Sequence, residues 1–472
     1  MGIPSRWVPR RTTLLGLFLS LAGCYHYRPQ PILPPALEQQ YRARSLSDPG
    51  LKQFVEAQQE ETPVWPPTSL TMDTLTLVAF YFNPDLDVAR ARLAASEAAV
   101  VTASTKPNPA FSGTGGYTDA ELAPYVLTFS LDWTIETAGK RQHRAEQARN
   151  LTSAARLALG ETAWQVRSRV RSSLLDHLLA SRELDLLQRE LETRQEALKL
   201  YEERLSAGEI SRPEVDIVRT SLTSLEITTQ RAKGLEQETR TTLEAALGLA
   251  PGALDGVRLV WESFEGPPND EALSLGNVQR AGLLNRLDVQ RTLAEYAASE
   301  NALQLEAARQ YPDIHIAPAY EFMEGFNSYF IGPSLLLPLR DRNKGPIAEA
   351  GARRQETASR FLALQAAAID QIQRALIQYR AALADYRYAD SRLKTLLSDR
   401  ERAIREQIQA GETDQLALIG VRLESVAAAS ARLQALRATQ TALGALEDAV
   451  QYPLEDGVAL PRVPVTNPRK SQ

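Results

Sequence analysis

Cysteine is almost missing from this chain: there is one in 472 residues, beside four histidines and three methionines that stand apart from one another. A disulfide framework is therefore excluded, and no His/Cys spacing suits a zinc site. Aromatic side chains are scarce at 7%, whereas Ala, Leu, Arg, Glu and Gln dominate, the composition of long helices. Positive charge is not in excess. The 53 basic against 58 acidic residues leave a formal −5, so no excess positive charge exists to neutralise a phosphate backbone, which argues against a nucleic-acid partner. A GxSxG elbow, a P-loop and a GxGxxG turn between strand and helix are lacking too. His143 and His177 fall on expected helix faces, His26 in a proline-rich stretch and His315 on an expected strand. The carboxylates are interleaved with arginines at helix-surface spacings. No catalytic, cofactor or metal-binding constellation follows from these residues. The expectation is a mechanical or conductive protein, not an enzyme.

No hydrophobic run is long enough for a membrane-spanning helix. The run Leu14 to Leu21 follows Arg6, Arg10 and Arg11 and is far too short to cross a bilayer, which fits a signal peptide. It ends in Leu21-Ala22-Gly23-Cys24, which resembles the bacterial lipobox, where the cysteine sulfur takes the lipid. Residues 1–23 are read as a lipoprotein signal peptide and Cys24 as the lipidated first residue of an envelope protein. Residues 24–67 carry eight prolines, a density that forbids continuous helix and predicts an extended strap.

Beyond the strap the chain repeats itself at an offset near 200 residues, the mark of a tandem duplication. Leu86-Asp87-Val88 recurs as Leu287-Asp288-Val289, Lys106-Pro107 as Tyr311-Pro312, and Ala207-Gly208-Glu209 as Ala410-Gly411-Glu412. The repeats are bounded at 68–255 and 256–454, with a tail over 455–472. Each reads helix, strand pair, very long helix, tight turn, return helix. Residues 137–207 hold no proline and two glycines, and residues 347–410 no proline and one glycine. At about 1.5 Å per residue either stretch would reach roughly 100 Å as a helix. Leu184, Leu187, Leu191, Leu198, Tyr201 and Leu205 follow steps of three and four, broken at Arg194, which is a coiled-coil seam. Gly208 and Gly411 suit the left-handed turn that ends a helix. Return helices over 214–247 and 414–450 complete two antiparallel hairpins.

The strand signals carry the most information. Tyr125, Leu127, Phe129, Leu131 and Trp133 alternate with Val126, Thr128, Ser130 and Asp132. Ile314, Ile316, Pro318, Tyr320 and Phe322 alternate with His315, Ala317, Ala319 and Glu321, and residues 111–117 and 329–337 supply weaker partners. Such lengths suit tilted membrane strands. Two soluble hairpins packed on each other through their apolar faces fit the periodicity equally well; the lipobox and the duplication favour the membrane. Four strands are too few to close a barrel, and an open sheet in lipid leaves backbone groups unpaired, so several copies would have to share one barrel.

The order, spacing and duplication of these features resemble TolC-type outer-membrane efflux proteins over nearly all of the chain past the signal peptide. The resemblance is carried by Cys24, by Asn83-Pro84-Asp85-Leu86 and Leu284-Asn285-Arg286-Leu287-Asp288, by Leu131-Asp132-Trp133 and Leu335-Leu336-Leu337-Pro338-Leu339, and by the two Ala-Gly-Glu turns. It implies a mainly α protomer with membrane β. Four strands would go to a shared twelve-stranded barrel of a homotrimer, and long coiled-coil hairpins to an α-helical periplasmic tunnel. The implied function is a passive exit duct of a tripartite efflux system in the outer membrane of a Gram-negative bacterium. Its implied partners are a periplasmic adaptor and an inner-membrane pump of the RND type. The stretch Trp133 to Arg141 is similar to the branch that serves heavy-metal cation efflux. Two other readings, a periplasmic adaptor and a coiled-coil scaffold lipoprotein, fit less well. An adaptor has one hairpin set between small β-domains, and a scaffold has no paired alternating stretches.

Tyr125, Leu127, Phe129, Leu131 and Trp133 are expected to face lipid. Gly208, Glu209, Arg212, Glu214, Asp216, Gly411, Glu412 and Asp414 would gather at the periplasmic tip, as gate and adaptor-docking surface. Arg212 is expected to pair there with a carboxylate of a neighbouring hairpin. The aspartate ring that narrows some members falls on Ala417 and Gly420, so that constriction is not expected. If Cys24 carries the lipid, Cys24→Ala abolishes incorporation of labelled palmitate and leaves the precursor uncleaved; label retained in the variant would contradict the assignment.

Overall fold

A computed structural model of the chain describes residues 26–58, 65–119, 124–269, 273–454 and 463–469. Cys24 and the signal peptide lie outside the described residues. The chain divides into two units, residues 1–44 and 45–472. In the first, helix α1 (Pro34–Arg42) has no buried residue and carries a Glu38–Arg42 ion pair at 2.6 Å. In the second, α2 (Pro49–Glu56) is capped by Asp48, whose side chain accepts from the Gly50 and Leu51 N–H groups. The strap is therefore not uniformly extended. A proline at the head of a helix gives up an N–H that has no helical partner, and its φ is already set, so these prolines start short helices instead of preventing them.

The first repeat runs β1 (Ser69–Leu70), α3 (Met72–Phe82), α4 (Pro84–Ser104), β2 (Ala110–Tyr117), β3 (Tyr125–Ile135), α5 (Lys140–Ser206), α6 (Arg212–Leu247) and β4 (Arg258–Leu259). The second runs α7 (Glu262–Glu265), α8 (Leu275–Asn285), α9 (Leu287–Ala308), β5 (Ile314–Ile316), β6 (Ala319–Met323), β7 (Phe326–Phe330), β8 (Pro333–Leu335), α10 (Lys344–Tyr388), α11 (Lys394–Gln409) and α12 (Gln415–Val450). The 67-residue α5 meets the expectation of one very long helix. Its counterpart does not: a π-helical turn, Ala389–Leu393, separates α10 from α11. There Arg432 of α12 binds Asp390 at 2.5 Å and donates to the Tyr386 hydroxyl at 3.0 Å.

Helix ends reveal the true register of the duplication. Asn83, which caps α4, donates Nδ2 to the Ala246 carbonyl near the end of α6 at 3.1 Å. Arg286, which precedes α9, donates Nη1 to the Ala449 carbonyl near the end of α12 at 3.0 Å. Both members of the pair are shifted by 203 residues. Buried Leu86 thus corresponds to buried Val289, and the literal Leu-Asp-Val match in the sequence is two residues out of step.

The main core forms where α3, buried from Thr74 to Phe82, packs between α5 and α6. Leu159, Val166, Val170 and Leu174 of α5 and Leu243 and Leu247 of α6 complete it. Each such side chain contributes about 1.5–3 kcal/mol on burial. A smaller core joins Ile372, Leu376 and Tyr379 of α10 to Leu443, Leu446 and Val450 of α12. The repeats are tied along α5 and α12. Glu447 of α12 lies between Arg167 at 3.4 Å and Arg171 at 3.3 Å, and all three side chains are buried. Arg171 also donates to the backbone and side-chain oxygens of Gln440, at 3.0 and 2.8 Å. Gly444 leaves room for it: a Cβ there would fall 2.6 Å from Arg171 Nη1.

Removing Glu447 strands two buried guanidinium groups, so Glu447→Ala is expected to destabilise by about 3–5 kcal/mol. Among the described residues its counterpart Glu244 accepts backbone N–H bonds alone, from Gly252 and Leu254 at 3.0 Å, and Glu244→Ala should cost about 1–3 kcal/mol. Thermal unfolding followed by helical circular dichroism should put the Glu447→Ala midpoint below that of Glu244→Ala. The reverse order would contradict this account of the joint.

Candidate functional site

Apart from β1 and β4, which pair in parallel as a separate two-stranded ribbon, the strands form one antiparallel sheet four strands wide. Along one edge β3 pairs with the whole of β2, from Ala110↔Asp132 to Tyr117↔Tyr125. Along the other it pairs with β6 and then β5, through Leu127↔Phe322 and Trp133↔Ile316. β7 and β8 continue the sheet beyond β6 and β5. The two continuous strands expected after Ile314 are each split, because Pro318 has no N–H for the ladder. Pairing survives the break: the Leu131 N–H donates to the Pro318 carbonyl at 3.1 Å and the Ala317 N–H to the Gly332 carbonyl at 3.3 Å. The outer edges, β2 on one side and β7–β8 on the other, have no strand partner among the described residues.

The two faces differ in kind. Tyr125, Leu127, Phe129 and Trp133 are exposed on one face, with half-buried Leu131 among them, and Val126, Thr128, Ser130 and Asp132 alternate onto the other. Phe111, Phe129, Tyr320 and Tyr329 form a row of rings across all four strands, with centroids 6.1, 6.4 and 5.4 Å apart. On the polar face Ser112 and Ser130 share a hydrogen bond at 2.7 Å, and His315 Nδ1 lies 3.2 Å from the Asp132 carboxylate. The alternative of two hairpins packed apolar face to apolar face is thus overturned: β2, β3 and β5 to β8 belong to one sheet, and among the described residues its apolar face is uncovered.

At the opposite end of the hairpins both reversals follow one plan. Gly208 and Gly411 take φ of +77° and +72°, a region open to glycine at little cost. The Glu209 and Glu412 N–H groups then reach back to the Arg204 and Gln407 carbonyls, each at 2.9 Å, closing a Schellman turn. Asp414 caps α12, accepting from the Ala417 N–H at 3.1 Å, and Arg204 of α5 binds its carboxylate across the two hairpins. Arg204 also stands 4.0 Å from Glu209. Its bond, and after it the Ala417 N–H, hold the Asp414 carboxyl below the ordinary carboxylate range. Glu214 closes a capping box with Ser211, accepting from its N–H at 3.0 Å and its hydroxyl at 2.6 Å, which lowers the Glu214 carboxyl likewise. Asp216 meets Arg219 at 3.2 Å.

The residues expected at the tip therefore lie at the two turns and the helix starts beside them. Arg212 opens α6 and has no ion-pair partner among the described residues; at the turns it is Arg204 that bridges the hairpins. Its signal in the sequence was faint, a basic residue in the last turn of α5 facing a gap that only the fold closes. Ala417 lies in the first turn of α12 and Gly420 just beyond it. Among the described residues no group of three His, Cys, Asp or Glu is placed to hold a metal, and no helix is long and apolar enough to cross a membrane.

The sequence model of a family described as "Outer membrane efflux protein" matches residues 81–249, from the end of α3 through α6. No curated protein sequence matches the chain. Solved structures do. The chain is similar to the CmeC outer membrane channel of Campylobacter jejuni, with TM-score 0.64, 16% identity, and 82% of this chain and 87% of that one covered. It is similar to VceC of Vibrio cholerae, with TM-score 0.65, 17% identity and coverages of 81% and 97%. It is also similar to the open state of the MtrE outer membrane channel of Neisseria gonorrhoeae, with TM-score 0.63, 16% identity and coverages of 81% and 89%. The fold is that of TolC-like outer-membrane channels.

The Asp414 cap gives the tip a measurable signature. Asp414→Ala removes both the cap and the Arg204 partner and should cost the first turn of α12 about 1 kcal/mol, roughly fivefold in amide exchange. Asp414→Asn keeps the cap and should change exchange little. Because the folded carboxyl is depressed, its contribution is present above the ordinary carboxylate pKa and is lost as pH falls through the lowered value. Equal exchange in Asp414→Ala and wild type would contradict the cap.

Proposed function

We propose that this chain is the exit duct of a tripartite efflux system, seated in an outer membrane, with three copies closing one barrel. One observation carries the reading: a sheet four strands wide whose outer edges are both unpaired and whose apolar face is uncovered. In lipid each unpaired N–H or C=O costs several kcal/mol, and closure is the remedy open to strands. Four strands fall short of the smallest known single-chain barrels, and three copies supply twelve. Tyr125, Leu127, Phe129, Leu131 and Trp133 then face lipid, while Thr128, Ser130, Asp132 and His315 line the lumen.

The paired hairpins continue the lumen as a tunnel. The turns around Gly208, Glu209, Arg212, Glu214, Asp216, Gly411, Glu412 and Asp414 form its mouth, where a periplasmic adaptor docks and links the duct to an inner-membrane pump of the RND type. Conduction is passive and needs no cofactor. Acidic residues outnumber basic ones at these turns, which favours cations electrostatically and supports heavy-metal cations as cargo. A lipid on Cys24 adds a second anchor. For an adaptor or scaffold role the four-stranded sheet with its uncovered face would have no use.

Purified protein in planar bilayers should give discrete single-channel currents, and absence of any conductance would overturn the duct. An Arg on the lipid face near mid-membrane costs about 2–4 kcal/mol. Leu127→Arg should therefore lose most of the heat-modifiable oligomer in outer-membrane fractions, whereas Thr128→Arg, on the lumen face, should retain it. Equal tolerance of both would contradict a membrane strand.

A further inference from the structure

We propose that the polar face of the sheet carries a weak site for a divalent transition-metal ion, built from His315 Nδ1 and the Asp132 carboxylate with the Thr134 hydroxyl beside them. All three donors belong to one chain, so the site is complete without a partner. Its place on a conducted path rests on the duct reading.

The pairing of β3 with β5 brings the donors together. Thr134 stands opposite His315 and Trp133 opposite Ile316. Asp132 precedes Thr134 by two residues, so alternation puts Asp132, Thr134 and His315 on the same face. His315 Nδ1 lies 3.2 Å from each Asp132 carboxylate oxygen and 3.3 Å from Thr134 Oγ1. A charge-assisted N–H···O bond is shorter, about 2.7–2.9 Å. Two donors that each bind one cation at about 2.0–2.2 Å, at octahedral or tetrahedral angles, stand about 2.8–3.6 Å apart. The spacing here is that of neighbouring ligands. An ion can reach both side chains, since His315 is 39% and Asp132 42% exposed.

The surrounding charges leave Asp132 as the carboxylate that a cation can take. Glu136, just past the end of β3, is held by Arg144 at 2.8 Å. Asp313, two residues before His315, is held by Lys140 at 2.7 Å and by the Thr137 N–H at 2.9 Å. Among the described residues Asp132 pairs with no lysine or arginine, and its ionisable neighbour is the imidazole of His315. No lysine or arginine occurs in any strand of this sheet. Glu321, opposite Thr128, adds a second carboxylate to the polar face. The field along that face therefore favours cations.

The donor set selects the ion. An imidazole nitrogen suits Zn²⁺, Cu²⁺ or Ni²⁺, whereas Mg²⁺ and Ca²⁺ take oxygen ligands. One imidazole, one carboxylate and a hydroxyl, completed by water, hold an ion weakly. Weak binding suits a duct, because a conducted ion has to leave as readily as it enters. Coordination through Nδ1 needs the neutral ring with its proton on Nε2. Protonation of His315 therefore competes with the metal, and binding weakens as the solution is acidified.

The test uses full-length, tag-free protein in detergent, stripped with a chelator. Zn²⁺ is titrated by calorimetry, and Cu²⁺ is followed by electron paramagnetic resonance for splitting by a ligand nitrogen. His315→Gln should remove the Zn²⁺ site and its share of the nitrogen splitting. Asp132→Asn keeps a hydrogen-bond acceptor but not the charge, and should weaken Zn²⁺ about tenfold or more, whereas Thr134→Val should change it less. An excess of Ca²⁺ should not displace Zn²⁺. Each variant should keep the heat-modifiable oligomer and bilayer conductance of wild type, which separates loss of a ligand from loss of the fold. Unchanged Zn²⁺ affinity in His315→Gln or in Asp132→Asn, or displacement by Ca²⁺, would overturn the site. Wild-type protein that conducts but binds no Zn²⁺ would overturn the site and leave the duct reading intact. Protein that binds Zn²⁺ with this pattern but never conducts would overturn the duct, and the site would stand.

Discussion

The carboxylate of Glu447 is the point on which the two halves of this chain meet. It faces two guanidinium groups, and all three side chains are buried. Removing an ion from water without full compensation costs several kcal/mol, and here the surroundings provide the compensation. Arg167 lies over the Trp164 ring at 5.1 Å and Arg171 over the Phe264 ring at 5.6 Å, each a favourable place for a cation. Gln440 absorbs two further donors from Arg171 while its own amide is held by the Phe264 carbonyl at 2.8 Å. Such a cluster tolerates little sliding. It sets α12 against α5 at one height and one rotation, and the second hairpin follows.

Much of this was legible because the governing signals are local. A long stretch without proline, ended by Ala-Gly-Glu, specifies a helix and its reversal whatever surrounds it. The α6 and α12 return helices begin within two residues of where their sequences place them. Alternation over Tyr125–Trp133 likewise specifies a strand with one apolar side. Even the break in the heptad seam at Arg194 was correctly placed as polar: in the fold it donates to Ser221 across the hairpin at 2.7 Å and to Glu190 at 2.8 Å.

What stayed hidden depends on partners distant in sequence. Proline density read as an extended strap because composition does not say which prolines sit at a helix start. The split at Pro318 was disguised because its apolar ring keeps the alternation while its missing N–H breaks the ladder. The two-residue slip at Leu-Asp-Val arose because a helix cap is recognised by the carbonyl it reaches, here Ala246 or Ala449, and not by neighbouring letters. Arg204 escaped notice for the same reason, since its partner Asp414 lies 210 residues away.

From Glu447 outward the seam between the hairpins loosens step by step. It is buried at Arg171, half-buried where Ser430 donates to Glu183 at 3.4 Å, and exposed at Arg422–Glu196 and Arg204–Asp414. Exposed pairs contribute about 0–1 kcal/mol each, so local opening is least costly at the turns. The counterparts of Arg204 and Asp414 are Gln407 and Ser211. The counterpart positions therefore cannot form that ion pair. The turns can part most readily where no charged pair crosses them, while the buried joint at Glu447 stays closed. A partner that binds the separated turns better than the closed ones needs only a small differential affinity to shift that balance.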